Sequence, residues 1–434
     1  MERTIAPPIS IRGTVTPTGD KSISHRAAIF NAIADGEATV ENFQQGADCK
    51  ATLRCLQALG VDWQLDEAGV LVIEGAGLSG LREPNSVLNC ANSGTTIRIM
   101  SGLLSGQPFF SILTGDASIR ERPMARVIKP LTSMGAEISA RDGNSRAPIA
   151  ISGGDLTGIS YDMPVASAQV KTAILLASLY ADGETSIVEP TTTRDHTERM
   201  LQAMGADISF GEGPRITVRP RPRHLSPLSL RVPGDISSAA PWFVLGAIHP
   251  DAEIRVTGVG VNPTRTGIID ALHAMGADVR LEKERTWGAE PVADVVVRSS
   301  KLKNTVVSGD LVPRGIDELP LIALAASFAE GETVIQDATE LQFKESDRIK
   351  TTVNELKKMG ADIEARPDGF AIRGPRRLRS AKVSSHRDHR IAMMLGVAGA
   401  VAQGETAVRA ADAVAVSYPR FWQDYDKLTR RYAP

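Results

Sequence analysis

Apolar residues along the chain fall into two alternating helical patterns. In the first, a helix apolar on nearly every side precedes a polar break and a short β-branched strand. The breaks are Asp35 to Val40, Ser105 to Phe110, Asp182 to Ile187, His249 to Ile254, Glu330 to Ile335 and Gln403 to Val408. The helices before them, such as Thr172 to Tyr180 and Ile391 to Ala400, have almost no polar face, and a helix without one belongs inside a protein. In the second pattern the helix is amphipathic, as over Thr352 to Gly360, and ends on the tag L-x-x-[M/L]-G-[A/V]-[D/E]. The tag begins at Leu56, Leu131, Leu201, Leu272 and Leu356. Its glycine stands where a left-handed cap ends a helix before a strand, so these helices belong outside.

The two patterns together predict a unit of strand, buried helix, strand, outer helix and two strands joined by a turn. Val61 to Ile73, for example, reads as a hairpin across Glu67, Ala68 and Gly69. The tags recur at roughly 70 to 85 residues, longer than a solenoid repeat, so each unit is a small α/β module. Six units fill the 434 residues. A six-membered ring is one arrangement; two lobes of three suit the usual domain size better. The charged stretch Leu281 to Glu290 reads as an exposed hairpin loop.

The start of each buried helix carries the candidate chemistry. The six starts are D-K-S-I-S-H-R (Asp20 to Arg26), N-S-G-T-T-I-R (Asn92 to Arg98), S-A-Q-V-K (Ser167 to Lys171), D-I-S-S-A-A-P (Asp235 to Pro241), I-D-E-L-P (Ile316 to Pro320) and H-R-D-H-R (His386 to Arg390). Capping accounts for the Ser, Asp and Asn. It does not account for Arg26, Arg98, Lys171 and Arg390, cations in a first turn where the helix dipole disfavours them. Such cations want an anion nearby, and the dipole and free amides of a helix start favour the same anion. The outer helices begin similarly, at Arg120 to Met124, Thr193 to Thr197, Asn262 to Thr266 and Lys344 to Arg348. In the last of these, Lys344 and Arg348 are spaced to share a helical face, with Glu345 beside Lys344. A substrate with more than one phosphate or carboxylate would use so many cations.

Composition narrows the reading. A net charge of -2 and 4% aromatic residues argue against nucleic acid or a membrane surface as partner. Cys49, Cys55 and Cys90 form no C-x-x-C pair, which argues against a disulfide framework or a structural zinc site. The start of the chain lacks the layout of a signal peptide, and the longest apolar run, Ile391 to Ala402, is shorter than the ~20 residues of a spanning helix. A cytoplasmic protein is expected. Asp20 interrupts what would otherwise resemble a P-loop tail, and G-x-S-x-G and H-E-x-x-H are absent. His386 and His389 stand among arginines that would repel a metal.

Taken in order, D-K-S-I-S-H-R, N-S-G-T-T, G-D-A-S-I-R-E-R-P-M (Gly115 to Met124), A-S-A-Q-V-K, T-R-D-H-T, I-D-E-L-P, K-E-S-D-R and D-H-R-I-A-M resemble the enolpyruvyl transferases, in the branch that acts on shikimate 3-phosphate. The resemblance covers essentially the whole chain. It implies a two-domain inside-out α/β barrel of six βαβαββ repeats, three per domain. Residues 1–19 and 234–434 would form one domain and 20–233 the other, with the active site in the cleft between them. The implied reaction moves the enolpyruvyl group of phosphoenolpyruvate to the 5-hydroxyl of shikimate 3-phosphate through a tetrahedral ketal and releases phosphate. By the same resemblance Lys21, Ser22, Arg26, Ser167, Gln169, Arg194, Asp317 and Lys344 would bind shikimate 3-phosphate. Lys21, Asn92, Gly94, Arg122, Gln169, Arg348 and Arg390 would bind phosphoenolpyruvate. Lys21, Asp317 and Glu345 would be catalytic, Asp317 handling the hydroxyl proton and Glu345 the proton at carbon 3. A monomer with no metal and no cofactor is implied.

Two positions depart from the better-known branch of the family. Ala168 stands between Ser167 and Gln169, and Val416 rather than lysine precedes Ser417, Tyr418 and Pro419. Gly94 leaves room for phosphoenolpyruvate and so for its competitor glyphosate. The transferase acting on UDP-N-acetylglucosamine would carry a cysteine in the loop at Arg120 to Met124, and none is there. A non-catalytic anion-binding scaffold would have lost charged residues that this chain retains.

Overall fold

Buried and amphipathic helices alternate in the computed structural model, which describes residues 1–219 and 224–429. In chain order the longer ones are α1 (Lys21–Ala32), α2 (Ala47–Ala58), α3 (Gly94–Ser105), α4 (Ala125–Ser133), α5 (Ala168–Ser178), α6 (His196–Ala203), α7 (Ile236–Ile248), α8 (Gly267–Ala274), α9 (Leu319–Ala326), α10 (Arg348–Lys358), α11 (His389–Val401) and α12 (Phe421–Thr429). The odd-numbered set forms the interior: every residue of α7 and α9 is buried. Outer helices keep a wet face, and α10 turns Lys350, Asn354, Lys357 and Lys358 to solvent. This division is what the two hydrophobic patterns require.

Contacts divide the chain into two units. The first takes Met1–Thr18, Pro233–Thr286 and the residues from Pro291 onward; the second takes Gly19–Val232 with Trp287–Glu290. Each has its own hydrophobic core. Trp242, Phe243, Tyr418 and Phe421 belong to that of the first unit, and Phe30, Ile97, Met100 and Leu175 to that of the second.

Small sheets surround the buried helices. In the second unit, Asp35–Glu41, Leu71–Ala76 and Asp62–Leu65 run antiparallel, and Leu230–Arg231 adds a parallel edge strand with Leu230 opposite Val40. The next two sheets repeat the plan, with Leu88–Asn89 and Ser160–Asp162 as parallel edges. Each edge strand is thus lent by the repeat before, and Leu230–Arg231 closes the circle onto the first sheet. The first unit follows the same plan with Ile11–Val15 and Val306–Val307 as parallel edges. Its last sheet differs. Lys382–Ser384 lies parallel to Thr406–Arg409, and Glu2–Ile5 pairs antiparallel where a hairpin stands elsewhere.

Inside the second unit α3 and α5 pack backbone to backbone. A Cβ on Gly102 would fall 2.1 Å from the Ala173 carbonyl oxygen, so only glycine permits this approach. Beside α5, the Lys171 ammonium lies 2.9 Å from Glu189 and 2.7 Å from Glu198, all three side chains almost wholly buried. Burial pushes the Glu198 carboxyl above its ordinary range despite the attraction of Lys171. The anion that Lys171 needs is therefore supplied by the protein itself.

The stretch Leu281 to Glu290 is a hairpin, exposed at Lys283, Glu284, Thr286 and Gly288 as expected, but it is strand rather than loop. Its residues extend a hairpin of Asp278–Trp287 and Glu290–Arg298. The charges pair on the sheet, Arg255 with Glu282 at 2.7 Å and Arg285 with Asp294 at 3.2 Å. The turn itself belongs to the second unit. The Arg231 guanidinium lies over the Trp287 ring at 4.6 Å, and Glu290, 3% exposed, meets His196 Nδ1 at 2.8 Å. Those partners lie far off in sequence, which is why the charge pattern alone reads as solvated.

Lys171→Met should leave Glu189 buried without a counter-charge and lower stability by about 3–5 kcal/mol. Urea unfolding measures this; an unchanged midpoint would contradict the assignment of Lys171 as a structural cation.

Candidate active site

In the second unit the opening cluster lies at the start of α1. Asp20 caps the helix by accepting from the Ile23 amide at 2.9 Å. Lys21, half-buried, holds Asp48 of α2 at 3.0 Å. Ser22 Oγ accepts from Arg194 Nη1 at 3.2 Å. Arg26 turns inward and is 2% exposed; it donates to Thr197 Oγ1 at 2.7 Å, Thr172 Oγ1 at 2.7 Å and the Ser22 carbonyl at 2.9 Å. Arg26 thereby ties α1 to α5 and α6 and holds the Ser22 backbone.

The start of α3 makes a second cationic corner. Asn92 donates to Asp116 at 2.6 Å and accepts from Arg122 Nη2 at 3.0 Å. Ser93 is the helix cap. A Cβ on Gly94 would come within 2.9 Å of Arg98 Nη1 and 3.0 Å of Arg122 Nη1, so two guanidinium groups flank the first amides of the helix. Gln169, at the start of α5, accepts from Arg98 at 2.7 Å and donates to Thr95 at 3.0 Å. Ser167 caps α5. A helix N-terminus with two guanidinium groups beside it is chemically an anion site.

In the first unit the chemistry gathers on Arg348, which is 1% exposed. Its Nε donates to Asp388 at 2.8 Å, Nη2 to Glu345 at 2.6 Å and Nη1 to Asp317 at 3.1 Å. Burial works against this charge, but Asp388, Glu345 and Asp317 outweigh it and push the guanidinium pKa up. Lys344 reaches Asp317 from another side at 3.4 Å. Lys344 and Arg348 do not share a helical face: Lys344 is extended at the end of a 3-10 turn and α10 begins only at Arg348. The common carboxylate of Asp317 brings them together instead.

Asp388 is fully buried and caps α11, accepting from the Arg390 amide at 2.9 Å and from Ser346 at 3.0 Å. Arg390 is 6% exposed, and its Nε and Nη1 have no hydrogen-bond partner among the described residues. Buried donors of this kind require an acceptor, which an anionic ligand supplies. Beside Asp317, Glu318 is buried, and the Ser237 hydroxyl donates to it. Burial first, then the Asp317 charge, push the Glu318 carboxyl above its ordinary range. Side chains of Asp317 and Glu345 remain 16% and 19% exposed, so both can reach a ligand.

Glu345, Asp388 and His389 bring ligand atoms within 4.8 Å of one another, as a metal site would. Both carboxylates already hold Arg348, whose fixed charge disfavours a second cation there. His386 Nε2 meets Glu355 at 2.8 Å. Asp48, Asp116 and Glu318 touch the candidate site or border it, and sequence reasoning did not single them out. Asp116, Glu318 and also Asp388 stand inside motifs already noted, whereas nothing in the sequence marks Asp48.

A family model described as EPSP synthase (3-phosphoshikimate 1-carboxyvinyltransferase) matches residues 5–425. The 3-phosphoshikimate 1-carboxyvinyltransferase of Herpetosiphon aurantiacus is 52% identical, with 99% of each chain covered. That of Roseiflexus castenholzii is 54% identical over 97% of this chain and 98% of its own. Among solved structures, the EPSP synthase from Acinetobacter baumannii superposes with a TM-score of 0.88 at 44% identity, covering 99% of this chain and 98% of its own. The enolpyruvyl transferase NikO from Streptomyces tendae shares the fold, with a TM-score of 0.79 at 19% identity over 98% and 96% of the two chains.

Arg390→Gln removes the charge of the buried guanidinium whose Nε and Nη1 lack partners among the described residues, and should weaken binding of inorganic phosphate about ten-fold. Titration calorimetry measures this; unchanged affinity would place the anion elsewhere.

Proposed function

This chain belongs to the EPSP synthase family and transfers the enolpyruvyl group of phosphoenolpyruvate to shikimate 3-phosphate in the shikimate pathway, and on that premise we propose how its residues divide the work. Asp317 and Glu345 on their shared Arg348 carry this reading. Asp317 accepts the proton of the 5-hydroxyl as that oxygen attacks carbon 2 of phosphoenolpyruvate. Glu345 delivers a proton to carbon 3, and the product of addition is a tetrahedral ketal phosphate. Glu345 then takes a proton back from the new methyl group while the carbon–oxygen bond to phosphate breaks and the departing oxygen takes up the proton held by Asp317. This restores the vinyl ether, returns both residues to their starting state and releases phosphate. The anionic donor competes with Glu345 for Arg348, which frees Glu345 to carry its proton.

Phosphoenolpyruvate takes Arg348 and Arg390 from one unit and Lys21, Asn92, Gly94, Arg122 and Gln169 from the other. Guanidinium groups already fixed by protein contacts stabilise the departing phosphate without reorganising. Shikimate 3-phosphate takes Lys21, Ser22, Arg26, Ser167, Gln169 and Arg194, with Asp317 and Lys344 at its 5-hydroxyl. Lys21 would serve both substrates and assist the proton transfers. The domains would thus be 1–19 with 234–434 and 20–233, with the substrates between them. A cytoplasmic monomer without nucleic-acid partners fits the modest net charge and the scarcity of aromatic residues. No helix among the described residues is long and apolar enough to cross a membrane.

Phosphate release from phosphoenolpyruvate with alternative acceptors tests the reading. Release with shikimate 3-phosphate and none with UDP-N-acetylglucosamine is expected; release with neither, or only with the second, would overturn it. The corner at Gly94 flanked by Arg98 and Arg122 should also admit glyphosate, seen as inhibition competitive with phosphoenolpyruvate. Unchanged rates at high glyphosate and low phosphoenolpyruvate would refute that part.

A further inference from the structure

One buried histidine has a place in this architecture that the reaction does not account for. His25 follows the Lys21–Ser22 turn on the inner side of α1 and is 0% exposed. Its Nδ1 lies 2.7 Å from Thr52 Oγ1 on α2, and Thr52 Oγ1 lies 2.7 Å from Thr96 Oγ1 on α3. Thr96 donates its hydroxyl to Ser93 Oγ at 2.7 Å and its amide to the same oxygen at 3.1 Å. All four side chains are fully buried, and His25 Nε2 has no hydrogen-bond partner among the described residues.

Counting protons gives the chain a direction. Thr96 commits its hydroxyl proton to Ser93, so its oxygen must accept from Thr52. Thr52, having given up its proton, must accept from His25 Nδ1–H. The imidazole is then neutral, with a bare Nε2. The reverse direction would strand an Nε2–H in a pocket without an acceptor, which is the costlier arrangement. Burial, with Lys21 and Arg26 nearby and Asp20 opposing them, holds the imidazole pKa well below its ordinary value.

We propose that His25 is a positioning residue: as the terminal donor of a chain of three hydroxyl groups, it fixes the Asn92–Gly94 corner relative to the Lys21–Ser22 turn. Ser93 is both the end of this chain and the cap of α3, flanked by Asn92, which holds Arg122, and by Gly94. The donor phosphate corner is therefore set from the acceptor side of the same unit. This proposal rests on the substrate assignment above for its kinetic consequence, but not for its geometry.

Thr52→Val keeps the shape and cuts the chain; it should raise KM for phosphoenolpyruvate about ten-fold while kcat and KM for shikimate 3-phosphate stay within about two-fold. Thr52→Ser should restore wild-type values, and His25→Asn, which keeps a donor near Nδ1, should fall between. Binding of phosphoenolpyruvate alone, measured by calorimetry on wild type and Thr52→Val, separates this proposal from the reaction itself. Weakened binding supports the proposal even if wild type fails to turn over with shikimate 3-phosphate. Nitrogen-15 spectra of the imidazoles in the wild-type protein should show His25 as the neutral Nδ1–H tautomer. An Nε2–H tautomer, unchanged phosphoenolpyruvate affinity in Thr52→Val, or equal losses in kcat and both KM values would overturn it.

Discussion

A guanidinium removed from water must have its donors and its charge met by the protein, and Arg348 is where the first unit meets that demand with carboxylates. Three carboxylates from separate segments converge on it: Asp388 at the cap of α11, Asp317 just before α9, and Glu345 just before α10. Breaking a buried pair leaves an uncompensated charge, so these segments are held against one another strongly. Asp388 is fully buried and structural, whereas Asp317 and Glu345 keep an edge exposed. One cation thus fixes two reachable carboxylates whose proton transfers the proposed reaction needs. Positioned groups of this kind gain their effect from not having to find their geometry at the moment of reaction.

The second unit solves the same repeated problem differently at each helix start. Arg26 is satisfied by hydroxyl groups and a carbonyl, Lys171 by two buried carboxylates, and Arg98 by Gln169 and the Pro123 carbonyl. Arg390 in the first unit has the least protein satisfaction, since two of its nitrogens lack partners among the described residues. A cation within the first two turns of a buried helix is therefore a recurrent feature of the fold with divergent uses, in the first turn at Lys171 and Arg390 and in the second at Arg26 and Arg98. At Lys171 buried carboxylates meet it; at Arg390 two nitrogens are left without partners among the described residues.

This divergence marks what was legible in the sequence. Helix periodicity and the glycine tags are local signals, and they carried the repeats, the buried and outer helices and the helix starts. The cations stood out because their position opposed the helix dipole. Their partners did not, because Glu189 and Glu198 for Lys171, or Asp48 for Lys21, are brought close only by tertiary packing. The same limit explains the hairpin at Leu281 to Glu290. Its charges look solvated in sequence, yet Glu290 is buried against His196. Lys344 and Arg348 met on Asp317 rather than along a helix face, because Asp347 caps α10 and starts the helix four residues after Lys344.

Hydrogen exchange at carbon 3 of phosphoenolpyruvate tests the role of the Arg348-bound carboxylates most directly. With both substrates in D2O, carbon 3 becomes a methyl group in the ketal, so loss of a proton on collapse or reversal introduces deuterium into product and recovered phosphoenolpyruvate. Glu345→Gln should abolish that incorporation while both substrates still bind. Incorporation at the wild-type rate in Glu345→Gln would remove Glu345, and with it the paired-carboxylate mechanism.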